Sequence, residues 1–139
     1  MKQQQRPPYT TLDHTADLAL RVYGDSLHEL FANAALGMFA QMTDLDHVPL
    51  TVRRQITVEA DDNEALLVAW LSELLFLRET KGEAYCRFEV RFPQPGSLSG
   101  VAEGGPWCSF DRPVKAVTYH GLKIEKQDDH YQATIVFDV

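Results

Sequence analysis

The sequence has no apolar run near the roughly 18 residues that a membrane span requires; its longest stretches, such as residues 65–70, are far shorter. The polar start Met1-Lys2-Gln3-Gln4-Gln5-Arg6 has no signal-peptide core, so a cytoplasmic protein is expected. Cysteine is scarce: Cys86 and Cys108 are the only two, and neither has CxxC or Cys/His ligand spacing. Two reduced thiols are therefore expected, with no disulfide and no structural zinc. Basic charge is also short, with 13 Lys and Arg against 20 Asp and Glu, a net charge of −7. A protein that holds RNA by itself normally presents a basic face. The acidic balance favours a metal ion or a protein partner. There is no P-loop, GxGxxG, G-x-S-x-G or zinc motif, and Ser, His and Asp are too scattered for a triad. Asp44-Leu45-Asp46 starts like an EF-hand loop but lacks its glycine and closing glutamate. The aromatics fall mostly at core positions, leaving no base-stacking platform.

What is present describes one globular domain over residues 1–139, long enough to bury about two-thirds of its unfolded surface. Tyr9–Leu12 begins the ordered chain, and Leu18, Leu20 and Val22 alternate with Ala19, Arg21 and Tyr23 as a strand does. Ser26 and Glu29 form a capping box before Leu27, Leu30, Phe31, Ala34, Ala35, Met38 and Phe39, which predict a helix of about four turns. Residues 43–49 read as a loop and Val52, Arg54, Ile56 and Val58 as a strand with a mixed face. Residues 61–64 then start a second helix, whose Leu66, Leu67, Trp70, Leu71, Leu74 and Leu75 make an apolar stripe. Cys86, Phe88, Val90 and Phe92 mark a half-buried strand, residues 98–103 pair back, and Gly104-Gly105-Pro106 should break the ladder. Strands over 114–118, 122–126 and 131–139 complete the chain, the last two joined by a hairpin turn at 127–130. The expectation is an α+β sandwich of mostly antiparallel strands, one sheet system with two principal helices packed on it.

Chemistry could sit at Asp13-His14-Thr15-Ala16-Asp17. In an extended segment Asp13 and Asp17 share a face with Arg21, and His14 shares the other with Leu18 and Leu20. The plain alternative, two turn-capping aspartates and a core histidine, stays open on these residues alone. At the C-terminus a patterned strand runs to the last residue, which would hold the Asp138 carboxylate and the α-carboxylate of Val139 in place. With an aspartate from another strand they would make a hard oxygen site for Ca²⁺ or Mg²⁺, relieving the repulsion of three carboxylates. The alternative is an ordered strand with Asp138 in solvent. Lys115, Tyr119 and His120 could supply a proton donor or a phosphate contact, although such residues near a turn are usually plain surface.

Together these features resemble the archease family. Residues 13–17 are similar to its N-terminal signature, followed by Tyr23-Gly24, and Trp70-Leu71-Ser72-Glu73-Leu74-Leu75-Phe76-Leu77 to its second helix. Val114-Lys115-Ala116-Val117-Thr118-Tyr119-His120 and Phe137-Asp138-Val139 resemble its two C-terminal motifs. The resemblance implies a metal-binding accessory protein, not an enzyme, that activates an RtcB-type RNA ligase. Such a protein promotes the ligase's guanylylation and multiple turnover in tRNA splicing, tRNA processing and RNA repair. It further implies a divalent metal on Asp17, Asp138 and Val139, with calcium expected and Mg²⁺ or Mn²⁺ compatible. His14, Lys115 and His120 become candidates for contact with the ligase or its nucleotide site, and RNA would be met mainly through the ligase. The chain departs from the family pattern between about residues 93 and 112, where 96–105 is glycine-rich. Two other readings remain: a chaperone-like modulator of a tRNA methyltransferase, and a metal-dependent phosphohydrolase using the same carboxylates.

Overall fold

A computed structural model describes residues 6–12, 17–107 and 114–139. Eight strands and two long helices follow in the order β1 (Tyr9–Leu12), β2 (Leu18–Gly24), α1 (Leu27–Met42), β3 (Val52–Glu59) and α2 (Asn63–Lys81). Then come β4 (Glu83–Arg91), β5 (Ser97–Pro106), β6 (Ala116–Val117), β7 (Glu125–Lys126) and β8 (Tyr131–Asp138). The strands make two sheets where the sequence suggested one system. The larger runs β1-β2-β8-β6, with β7 also on β8, and the smaller runs β3-β5-β4; every pairing is antiparallel.

Both helices start where their caps place them. Ser26 Oγ accepts from Glu29 N at 3.1 Å, and the Glu29 carboxylate reaches one residue beyond the cap, to Asp25 N at 2.7 Å. Asp62 accepts from Ala65 N at 2.8 Å and opens α2. Gly82, at φ +65°, closes it in the left-handed conformation that only glycine adopts without strain. α1 touches β2 of the large sheet and β4 of the small one, so it is apolar on most sides: Leu30, Phe31, Met38, Phe39 and Met42 are all fully buried. α2 packs on the small sheet and on β6, with Trp70 at its centre donating from Nε1 to Phe31 O at 3.0 Å.

Three expectations change. Gly104-Gly105-Pro106 continues β5 to its end instead of breaking it. Gly104 is needed there because a Cβ would collide with Ala84 O and Tyr85 Cα across the ladder. Most of the glycine-rich tract at 96–105 is thus strand. The strand expected over 114–118 shrinks to Ala116–Val117, and that over 122–126 to Glu125–Lys126. Between them the chain leaves the ladder through a turn closed by Leu122 N on Tyr119 O at 3.0 Å, with Gly121 at φ +63°. Residues 43–49 also contain a 3-10 turn at Leu45–His47. Among the described residues no helix is long and apolar enough to cross a membrane.

Candidate functional site

β8 is the strand on which the candidate site is built, because its far end has neighbours on both sides. Leu18 of β2 pairs with Phe137, and continuing that register by one residue sets Asp17 opposite Asp138. Leu18 and Phe137 point into the core, so alternation turns Asp17 and Asp138 to the other face. Residues directly opposite in an antiparallel pair have Cβ atoms roughly 5 Å apart. On the other side Ala116 of β6 pairs with Asp138, and Lys115 N donates to Asp138 O at 2.7 Å. Asp17 is half-buried, while Asp138 and Val139 are exposed, Val139 at 40%.

The fold therefore brings Asp17, Asp138 and Val139 to one strand end, where the Lys115 backbone N–H also meets Asp138. Two side-chain carboxylates are hard oxygen donors, the chemistry that suits Ca²⁺ or Mg²⁺. Among the described residues no three His, Cys, Asp or Glu side chains form a metal-holding group; the third donor of this set would be the backbone terminus. Asp13 and His14 lie outside the described residues. His120 stands apart from the carboxylates. It is exposed in the turn after β6, where its N–H donates to Thr118 Oγ1 at 3.2 Å, and Thr118 is anchored to Val136 O through both its N–H and its hydroxyl.

A cleft of about 490 Å³ at the opposite end of β8 gathers Asp25, His28, Lys126, Asp128, Asp129 and His130. Its charges are largely engaged with one another. His130 Nδ1 lies 2.8 Å from Asp129, and Arg6 bridges Asp129 at 2.9 Å and Asp25 at 3.5 Å. The hydrogen bonds from His130 and then Arg6 hold the Asp129 carboxyl below its ordinary range. The sequence reading missed a third polar group, Arg54, Glu83 and Tyr85, which spans the small sheet. Arg54 grips Glu83 with two bonds of 2.9 and 2.6 Å, and the buried Tyr85 hydroxyl donates to the same carboxylate at 2.6 Å. Its only signal was an arginine on the inward side of the β3 alternation.

Comparison with known proteins bears on the whole chain. The archease protein family (MTH1598/TM1083) matches residues 9–139. The protein archease of Methanosarcina acetivorans is 38% identical over 143 residues, covering 97% of this chain and 98% of its own. The solution structure of Methanobacterium thermoautotrophicum protein 1598 superposes with a TM-score of 0.81 at 34% identity, covering 95% of this chain and 99% of that one. A crystal structure from Thermotoga maritima, titled an archease and possible chaperone, shares the fold with a TM-score of 0.63 at 22% identity over the full length of both. The match takes in β1 through the terminal residue, with the strand end that gathers Asp17, Asp138 and Val139 inside it, and the chain belongs to the archease family.

Proposed function

We propose that this chain is a metal-binding accessory protein that activates an RtcB-type RNA ligase, promoting its guanylylation and repeated turnover in tRNA splicing and RNA repair. The observation that carries the reading is the register of β8, which sets Asp138 at the end of the strand between Asp17 of one neighbour and Ala116 of the other, with the Lys115 N–H on its carbonyl. Asp17, Asp138 and the Val139 α-carboxylate would hold the ion, and their oxygen chemistry fits calcium, with Mg²⁺ or Mn²⁺ compatible. A bound divalent ion would neutralise the carboxylates and fix the strand end at the surface where a partner meets it. Lys115, tied to the same strand end through its backbone N–H, would offer a cation to a phosphate or a carboxylate of the partner. The remaining candidate, His120, would contact the partner from the turn beyond. A role in which the protein performs no chemistry itself agrees with the lack of a nucleophile–base pair in the sequence.

Multiple-turnover RNA ligation tests this, with the ligase from the same source, GTP and a divalent ion, in the presence and absence of this chain. Turnover should rise with the chain and stay at the unassisted rate with Asp17→Ala or Asp138→Ala, both folded by circular dichroism. Full stimulation by both variants would remove the metal site from the mechanism, and no stimulation by the wild type would remove the ligase.

A further inference from the structure

We propose that the free edge of β3 is a self-association surface, on which two copies of this chain pair their β3 strands antiparallel and join their small sheets into one of six strands. The inference is independent of the ligase reading and of the strand end that carries Asp17 and Asp138.

The small sheet runs β3-β5-β4, so β3 has a strand neighbour on one side only. Residues 48–62, which contain the strand and both its approaches, are all described. Ala60 N donates to Gly96 O at 2.9 Å, and these two stand opposite one another when the register of Glu59 on Ser97 is continued by one residue. Residue 60 is therefore a hydrogen-bonded position on β5, and alternation makes 58, 56, 54 and 52 the others. The N–H and C=O groups of Arg53, Gln55, Thr57 and Glu59 then point away from β5. No turn, loop or cap among the described residues supplies them with a partner.

An exposed row of backbone donors and acceptors is a template for another strand unless something blunts it. The other edges are blunted. β1 has four residues and follows Pro7-Pro8, which lack the donor. β6 and β7 are two residues long, and β4 carries a bulge between Tyr85 and Arg87. β3 has eight residues, no proline and an unbroken register on β5 from Val52 to Glu59.

The order of its side chains selects a second copy as the occupant. Because the edge-facing groups belong to odd positions, antiparallel self-pairing matches odd with odd. One such register sets Arg53 of each copy opposite Glu59 of the other, Gln55 opposite Thr57, and Ile56 on the two-fold axis. A shift by two residues either way sets Gln55 or Thr57 against itself and joins no opposite charges. Arg53 and Glu59 are both exposed on the outward face, and symmetry makes their pair twice. On the inward face the same register sets the half-buried Val52 opposite Ala60 and the half-buried Val58 opposite Arg54, whose charge Glu83 already holds.

Sedimentation equilibrium of the full chain tests this, with wild type, Arg53→Glu, Glu59→Arg and the double variant. The wild type should pass from monomer to dimer between about 10 µM and about 1 mM, as suits a contact smaller than a standard interface. Each single variant sets like charges opposite one another at both ends of the strand pair and should raise Kd at least about tenfold. The double variant restores both pairs and should return to within about threefold of wild type. Arg53→Glu gives up only a loose 3.9 Å contact to Glu103, and Glu59 is exposed, so thermal midpoints should stay near wild type. Amide exchange locates the contact: the Gln55 and Thr57 N–H groups should slow as the wild-type concentration rises, and should not in Glu59→Arg. A wild type that stays monomeric throughout overturns the proposal, as does a dimer in which those two amides exchange at an unchanged rate. A dimer indifferent to both single variants, or a double variant that associates no better than either, overturns it as well. Loss of ligase stimulation by Glu59→Arg with a monomeric wild type would give the edge to a different protein chain instead.

Discussion

Arg54 and Glu83 stand on the two outer strands of the small sheet and meet across β5, where the intervening Ala102 and Gly104 are small enough to let them pass. Glu83 is 5% exposed and accepts three bonds, two from Arg54 and one from the Tyr85 hydroxyl, so removing its charge strands two donors at once. Breaking a buried pair typically costs about 3–5 kcal/mol. Arg54 remains a third exposed and can be rehydrated, so about 2–3 kcal/mol is expected for Glu83→Gln. Thermal unfolding should show it as a fall in Tm of roughly 6–12 °C. Titration follows the same contacts. The Arg54 bonds hold the Glu83 carboxyl below its ordinary value of 4.5, so its contribution is complete above that pH and fades as pH falls through the folded value. Burial first, and then the bond to Glu83, push the Tyr85 hydroxyl well above 10. Its contribution is complete below pH 10 and is lost at more alkaline pH, where the unfolded chain gives up the proton more readily. Denaturant midpoints across pH should therefore decline on both flanks, and the acid decline should be shallower in Glu83→Gln. None of this was legible in the sequence beyond the alternation of β3. A strand pattern tells which way Arg54 faces, but its partner lies 29 residues on, in another element.

At the scale of elements, α2 does more than fill the core. Near its start the Glu64 carboxylate accepts from Ile124 N at 2.9 Å, and near its end Arg78 donates to Val114 O. The segment that carries Lys115, Tyr119 and His120 is thus tied to the helix at both ends, while Lys115 and Thr118 tie it to β8. This explains why the alternation at 114–118 and 122–126 overstated the strands: side chains of α2 supply partners that a ladder would otherwise provide. Sequence periodicity cannot see such long-range tethers. The helices were legible because their caps, stripes and stops are local, down to Ser26, Asp62 and the apolar run through Leu75. Glu64→Ala should free the Ile124 amide, raising its hydrogen-exchange rate about tenfold, as expected for loss of about 1.4 kcal/mol from a charge-assisted bond. Glu64→Gln keeps an acceptor and should exchange nearly as slowly as wild type. Equal rates in the alanine variant would mean that β7 and the turn alone hold this segment.

For the whole molecule, the candidate site was legible as far as its residues, because Asp138 and Val139 close a patterned strand and Asp17 precedes another. Their meeting was not legible in the strand patterns and came only through the family resemblance, since the pairing of β2 with β8 joins positions more than a hundred residues apart. That meeting gives the metal proposal a thermodynamic consequence independent of any ligase. An ion that binds only the folded chain stabilises it by RT ln(1 + [L]/Kd), about 2.7 kcal/mol at a hundredfold excess over Kd. Calcium should therefore raise the Tm of the wild type by roughly 8–10 °C at that excess, and leave Asp138→Ala unmoved. The α-carboxylate can be examined without changing any side chain. A few residues added after Val139 convert that carboxylate to a peptide bond and leave only the two aspartates as anionic donors. The same tag placed before Met1 changes nothing at this strand end. The C-terminally extended chain should need at least tenfold more calcium for the same rise in Tm, while the N-terminally tagged chain follows wild type. Equal calcium dependence of the two would take Val139 out of the ligand set and leave Asp17 and Asp138 to be completed by another donor.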